Sequence, residues 1–129
     1  HSYVGEICRE LAAKDGRICY RKLEKNEGIA GNTNQCLTMA TGEYIGLFDH
    51  DDLLHPCALY EYVKAINEKN ADYVYCDEAT FKNGDINQMI TMHFKPDYAI
   101  DNLRANNYIC HFLVMESKLL KSLQFRPEF

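Results

Sequence analysis

Val4, Ile7, Cys8 and Leu11 recur at i, i+3, i+4 and i+7, which places them on one face of a helix that Asp15-Gly16 can end. A stripe of this kind predicts a helix packed against another element. Ile18 to Leu23 reads as a short strand. After Asn26-Glu27-Gly28 a second helix is expected, with Ile29, Thr33, Cys36, Leu37 and Ala40 on its inner face and Gly42 as its closing residue. Tyr44-Ile45-Gly46-Leu47-Phe48 is an apolar run flanked by polar residues, the pattern of a parallel, central strand covered on both faces. Pro56 suits the first turn of a third helix whose Leu59, Tyr62, Val63 and Ile66 share a face, and Tyr73 to Cys76 forms the next strand.

Strand, helix, strand, helix, strand is a βαβαβ pattern with right-handed crossovers. It predicts parallel strands near 17–23, 44–48 and 73–76 in a three-layer α/β sandwich. After Asp77 the periodicity fades. Phe81-Lys82-Asn83-Gly84-Asp85 is a turn or hairpin signal, and Met89 to Asn107 reads as mostly loop around Lys95-Pro96-Asp97. Tyr108 to Met115 is strand-like, and Glu116 to Leu123 suits a short helix.

Composition narrows the class. Hydrophobic residues at 47% and charged residues at 26% are ordinary for a folded domain, and 129 residues suffice for one core. A formal charge of -5 disfavours a nucleic-acid binder, which needs a basic stripe, so no nucleic acid is expected as a partner. No apolar run approaches the roughly 18 residues that span a bilayer. The six cysteines are widely spaced with no CxxC pair, and they read as small buried hydrophobes in a reducing compartment rather than as disulfides or a zinc site.

The chemistry gathers after the Tyr44–Phe48 run, because ligands of open α/β sheets sit outside the carboxyl ends of the strands. There the chain reads Asp49-His50-Asp51-Asp52. In an extended segment Asp49 and Asp51 point to one side and His50 to the other, while Asp52 either joins them or caps the following turn. Paired carboxylates suit Mg²⁺ or Mn²⁺, which complete their shells with water and substrate phosphate. An exposed acidic turn capping the Pro56 helix is the other reading of the same residues. His111, within an apolar stretch, is a candidate for a metal or an acceptor contact, as are Asp77 and Glu78 at a strand end. Each also has an ordinary structural reading, and so does Lys95 in its loop.

Three motifs in order carry a resemblance: Asn26-Glu27-Gly28-Ile29-Ala30-Gly31-Asn32-Thr33-Asn34, Ala40-Thr41-Gly42-Glu43-Tyr44-Ile45, and Leu47-Phe48-Asp49-His50-Asp51-Asp52-Leu53-Leu54-His55-Pro56. Together they are similar to the central block of family 2 glycosyltransferases. Tyr75-Cys76-Asp77-Glu78, His93-Phe94-Lys95-Pro96-Asp97 and Asn107-Tyr108-Ile109-Cys110-His111-Phe112 further resemble a bacterial subgroup that builds surface polysaccharides.

The resemblance implies the GT-A fold, a Rossmann-like α/β/α sandwich of nucleotide-diphospho-sugar transferases, with residues 1–129 as a partial catalytic domain cut at both ends. It implies sugar transfer from a nucleoside-diphosphate sugar, a UDP-sugar by expectation, to a saccharide acceptor, inverting and dependent on Mn²⁺ or Mg²⁺. Asp51 would be the principal metal ligand and Asp49 would hold the donor ribose or a metal-bound water. Asn26, Gly28 and Asn34 match the motif that lies along the nucleotide. Many relatives carry arginine where this chain has Thr33, so a cationic contact there is not expected. The catalytic base is expected in a carboxylate motif beyond Phe129, so the piece alone is expected to be inactive. It would work in the cytoplasm, with a parent at the inner face of the membrane, and a truncated sheet edge would favour self-association. Two other functions fit the residues, an inactive nucleotide-sugar-fold module for binding or assembly, and a nucleotidyltransferase-like enzyme.

Overall fold

The structure is a computed structural model that describes residues 2–127. Two compact units share the chain, one made by residues up to Thr41 with those from Leu123 onward, the other by Gly42–Ser122.

In the first unit, helix α1 covers Ser2–Lys14 and helix α2 covers Gly28–Met39. Helix α1 ends as the sequence predicts. Asp15 donates its backbone N–H to Leu11 O at 3.0 Å, and its carboxylate accepts from the Arg17 guanidinium at 2.6 to 3.1 Å. Helix α2 opens at Gly28, whose φ of 72° only glycine adopts freely, and whose N–H reaches Asn26 Oδ1 at 3.0 Å. It stops at Ala40, which is extended, so Gly42 is not its closing residue.

Two expectations fail in this unit. Residues 18–23 form no strand, because a strand needs a neighbour to take its N–H and C=O groups and the unit has no other strand among the described residues. The helix stripes are present but uncovered: Val4, Ile7 and Leu11 are about half exposed, and of the expected inner face of α2 only Leu37 is buried while Ile29 is 90% exposed.

The second unit holds strand β1 (Tyr44–Leu47), helix α3 (Ala58–Lys69), strand β2 (Tyr73–Tyr75), strands β3 (Glu78–Lys82) and β4 (Asp85–His93), helix α4 (Ile100–Ala105) and strand β5 (Leu113–Glu116), which runs directly into helix α5 (Ser117–Leu123). The main sheet has the order β1-β5-β2. Strand β5 is antiparallel to both neighbours, so β1 and β2 run the same way without touching. The expectation of a central strand at Tyr44–Phe48 is therefore corrected: β1 is an edge of the described sheet, and the late segment Leu113–Glu116 takes the centre. Local pattern reports that a strand is apolar on both faces, not which strand will pair with it.

The core forms where α3 lies against this sheet. Tyr62, Phe112 and Val114 are buried together, with Tyr44, Leu54, Ile66, Val74 and Cys76 packed around them. The Tyr62 hydroxyl donates to Phe112 O at 2.6 Å, and burial pushes its ionisation far above the usual tyrosine range. Of the predicted face of α3, Leu59 and Val63 remain exposed. Asn70 ends the helix in the left-handed region, which asparagine tolerates.

Gly46 pairs across the ladder with Val114, and the Phe112 ring lies over it. A Cβ at Gly46 would run into that ring. Gly46→Ala is therefore expected to destabilise the fold by about 1 to 3 kcal/mol, seen as a lower urea midpoint with unchanged slope. An unchanged midpoint would mean that Phe112 is free to move aside.

The hairpin signal is correct and stronger than it looked. Strands β3 and β4 pair around Asn83-Gly84, both at positive φ, the conformation that the commonest tight hairpin turn demands. The expected loop from Met89 is corrected, since Met89–His93 completes β4 and Ile100–Ala105 forms α4. Strand β4 is exposed along nearly its whole length, so it carries no alternation to read. The cysteines are all free, as expected, but Cys19, Cys36 and Cys57 are exposed rather than buried. Among the described residues no helix is long and apolar enough to cross a membrane.

Candidate functional site

Strand β1 ends at Leu47, and the chain turns instead of extending: Asp52 N donates to Asp49 O at 3.3 Å. A turn brings its first and fourth residues together and points its tip outward. The expected pairing of Asp49 with Asp51 depended on extended backbone, and the observed pairing is Asp49 with Asp52.

The third member comes from the segment entering β5. His111 Nδ1 lies 3.0 Å from Asp52 Oδ2 and 3.3 Å from Asp49 Oδ2. Asp49, Asp52 and His111 are the group whose ligand atoms converge on one point among the described residues. Asp51 stands outside it, 78% exposed, with His50 Nδ1 at 3.9 Å. The arrangement depends on the core directly behind it. Phe112, next to His111, is held by the Tyr62 hydrogen bond and an edge-on contact with Phe48, next to Asp49, at 5.7 Å between centroids.

The donor set fits a divalent cation. Neighbouring ligands of an octahedral ion with bonds of about 2.1 Å stand about 3.0 Å apart. The 3.0 and 3.3 Å separations from His111 Nδ1 to the two carboxylates match that spacing, with all three ligand atoms within 4.8 Å of one another. The two carboxylates suit Mg²⁺ or Mn²⁺, and the imidazole favours the less hard Mn²⁺ of the two.

Asp77 and Glu78, candidate acceptor or metal residues, are engaged elsewhere. Asp77 Oδ1 accepts from Lys95 N at 2.8 Å. Glu78 Oε1 meets His93 Nδ1 at 2.9 Å, and Oε2 forms an ion pair with Lys95 Nζ at 3.0 Å whose angle is too poor for a hydrogen bond. Burial raises the Glu78 carboxyl, but the hydrogen bond with His93 and the adjacent Lys95 ammonium outweigh it, leaving it below the ordinary 4.5. A depressed carboxylate stabilises the fold above its unfolded value and loses that contribution as pH falls through its folded value. Wild type is thus expected to lose stability relative to Glu78→Gln as the pH drops below about 4.5 in acid melts. Parallel curves for the two proteins would remove Glu78 from the acid response.

The nucleotide-motif residues lie in the first unit. Asn26 Oδ1 accepts from Gly28 N and from Asn32 Nδ2 at 2.9 Å, while Asn34 bonds the backbone of Phe125 in both directions, at 2.8 and 2.9 Å. Each has a structural task in this state. Thr33 bonds Ile29 O within its own helix.

Two residues carry more than the sequence assigns them. Asp52, which the sequence offers as a cluster member or a cap, is a partner of His111. Lys95, which has an ordinary loop reading in the sequence, has a side chain only 5% exposed. The signal available was its place between Asp77-Glu78 and the Asn107–Phe112 segment, both singled out by motif.

The family model for glycosyl transferase family 2 matches residues 2–123. The chain is 37% identical over 128 residues to an uncharacterized protein of Sinorhizobium fredii, covering 98% of this chain and 14% of that one. It is 30% identical over 127 residues to an uncharacterized glycosyltransferase of Methanocaldococcus jannaschii, covering 93% of this chain and 43% of the relative. It is 29% identical over 119 residues to an O-antigen biosynthesis protein of Myxococcus xanthus, covering 92% and 9%. The chain therefore spans less than half the length of these curated relatives. No solved structure gives a significant match. With the family model covering nearly the whole chain, the chain belongs to glycosyl transferase family 2.

Proposed function

We propose that the protein transfers a sugar from a nucleoside-diphosphate donor, a UDP-sugar by preference, to a saccharide acceptor, with inversion and with Mn²⁺ or Mg²⁺, in the assembly of a surface polysaccharide. The observation that carries this is the convergence of Asp49, Asp52 and His111 at the end of β1. The name of the Myxococcus relative, an O-antigen biosynthesis protein, supports the polysaccharide setting. Family membership supports the GT-A fold, and we assign this chain to a three-layer sandwich of that type completed in the full-length protein.

In this reading Asp49, Asp52 and His111 hold the cation, and Asp51, exposed at the tip of the same turn, adds a carboxylate on the donor side. The bound cation supplies Lewis-acid stabilisation of the negative charge on the departing diphosphate. By motif we also assign Asp49 to the donor ribose and Asn26, Gly28 and Asn34 to the nucleotide. We place the protein in the cytoplasm, its parent at the inner face of the membrane. The open edge of β1 and the exposed stripes of α1 and α3 support self-association of the isolated chain.

The test is donor consumption by the full-length protein with a panel of nucleotide sugars, with and without a chelator. Release of nucleoside diphosphate that stops on chelation and returns with Mn²⁺ is expected. Consumption indifferent to chelation would remove the metal from the mechanism, and no consumption of any donor would favour a binding module.

A further inference from the structure

We propose that Lys95 is a positioning residue that aims His111 at the aspartates, an inference that rests on His111 as a cation ligand. The Lys95 ammonium donates to Cys110 O and, at 3.2 Å, to His111 O, two successive carbonyls of the segment that carries the imidazole. His111 has a φ of 54°, in the left-handed region that non-glycine residues occupy uncommonly. Its side chain is 46% exposed and meets Asp49 and Asp52 through Nδ1, while the two Lys95 contacts hold the residue from the backbone side.

Lys95 is itself fixed from several directions. Its N–H donates to Asp77 Oδ1 at 2.8 Å, and the next residue, Pro96, accepts from the Tyr75 hydroxyl at 2.6 Å. Glu78 Oε2, 3.0 Å from Nζ, balances a charge that would otherwise be costly in a slot where the side chain is 5% exposed. The result is a rigid relay: strand β2 fixes Pro96, Pro96 and Asp77 fix Lys95, and Lys95 fixes the peptide on which Nδ1 is hung. A compact ammonium meets both carbonyls and Glu78 from one point, and the broader planar guanidinium of arginine would have to shift these partners to occupy the same slot. With both carbonyls bonded and Glu78 as counter-ion, Lys95 is not free to bind a phosphate.

The test measures Mn²⁺ affinity of the full-length protein by titration calorimetry for wild type, Lys95→Met, His111→Ala and the double variant, with thermal melts beside each. Outer partners that orient ligands typically contribute 10- to 100-fold in metal affinity, and a loss of about that size is expected for Lys95→Met. If Lys95 acts through His111, its removal in the His111→Ala background should change affinity no more than about twofold. Equal losses in both backgrounds would show a merely structural role and overturn the proposal, as would an unchanged affinity. Should Lys95→Met fail to fold, Lys95→Arg keeps the charge, and a weakened Mn²⁺ affinity in a folded Lys95→Arg protein is the expected result, wild-type affinity the contrary one. If His111→Ala itself leaves Mn²⁺ binding intact, the metal reading fails first, and the two failures are told apart by that single variant.

Discussion

Replacing His111 by alanine in the full-length protein is expected to lower sugar transfer by about 10²-fold or more at saturating donor. The imidazole is the one ligand the cluster draws from outside the Asp49–Asp52 turn, so its loss opens the site on the side facing β5. The protein should stay folded, because His111 is partly exposed and the core beside it is anchored by Tyr62, Phe112 and Val114. The effect should fall on turnover and on the Mn²⁺ concentration needed for half-maximal rate. Kinetics in which only acceptor KM changes would move His111 from the cation to the acceptor.

Asp51→Asn is expected to remove most turnover as well, through a different route. Asp51 takes no part in the cluster of Asp49, Asp52 and His111, so cation binding in the absence of donor should survive its replacement. The deficit should appear only with donor bound, when Asp51 would add its carboxylate to the cation that offsets the charge of the departing diphosphate, and losing one such contact raises the barrier by on the order of 3 kcal/mol. Asp52→Asn should show the converse, weak cation binding even without donor. Near wild-type rates for Asp51→Asn at saturating donor and Mn²⁺ would strip Asp51 of a ligand's role and leave Asp52 in its place.

Much of this was legible in the residues, and the exceptions have physical causes. Helices α1 and α3 follow their apolar periodicity, with Asp15-Gly16 ending one and Asn70 the other. The Asn83-Gly84 turn is written in the only residue pair nearby that accepts two positive φ values with ease. Strand order was not legible, because Leu113–Glu116 enters between β1 and β2 from far along the chain. Burial was overestimated along parts of the helix stripes: Ile29, Leu59 and Val63 remain exposed, while Leu37 and Tyr62 are buried.

The site divides the same way. Asp49 and His111 were identifiable as candidates by residue type, and the structure brings them to 3.3 Å. Asp52 rather than Asp51 joins Asp49 because the backbone turns where the sequence suggests a continuing strand. Glu78 and Asp77 looked like free carboxylates and are instead the supports of Lys95. Such long-range ion pairs leave no mark in local periodicity.

The most direct measurement is an anomalous difference map at the manganese edge from crystals of the full-length protein soaked with Mn²⁺ and UDP. A peak about 2.1 to 2.3 Å from carboxylate oxygens of the Asp49–Asp52 turn and from His111 Nδ1, bridging to the diphosphate, is the predicted result. Diphosphate bound with no manganese at these residues, or manganese held elsewhere, would contradict the account.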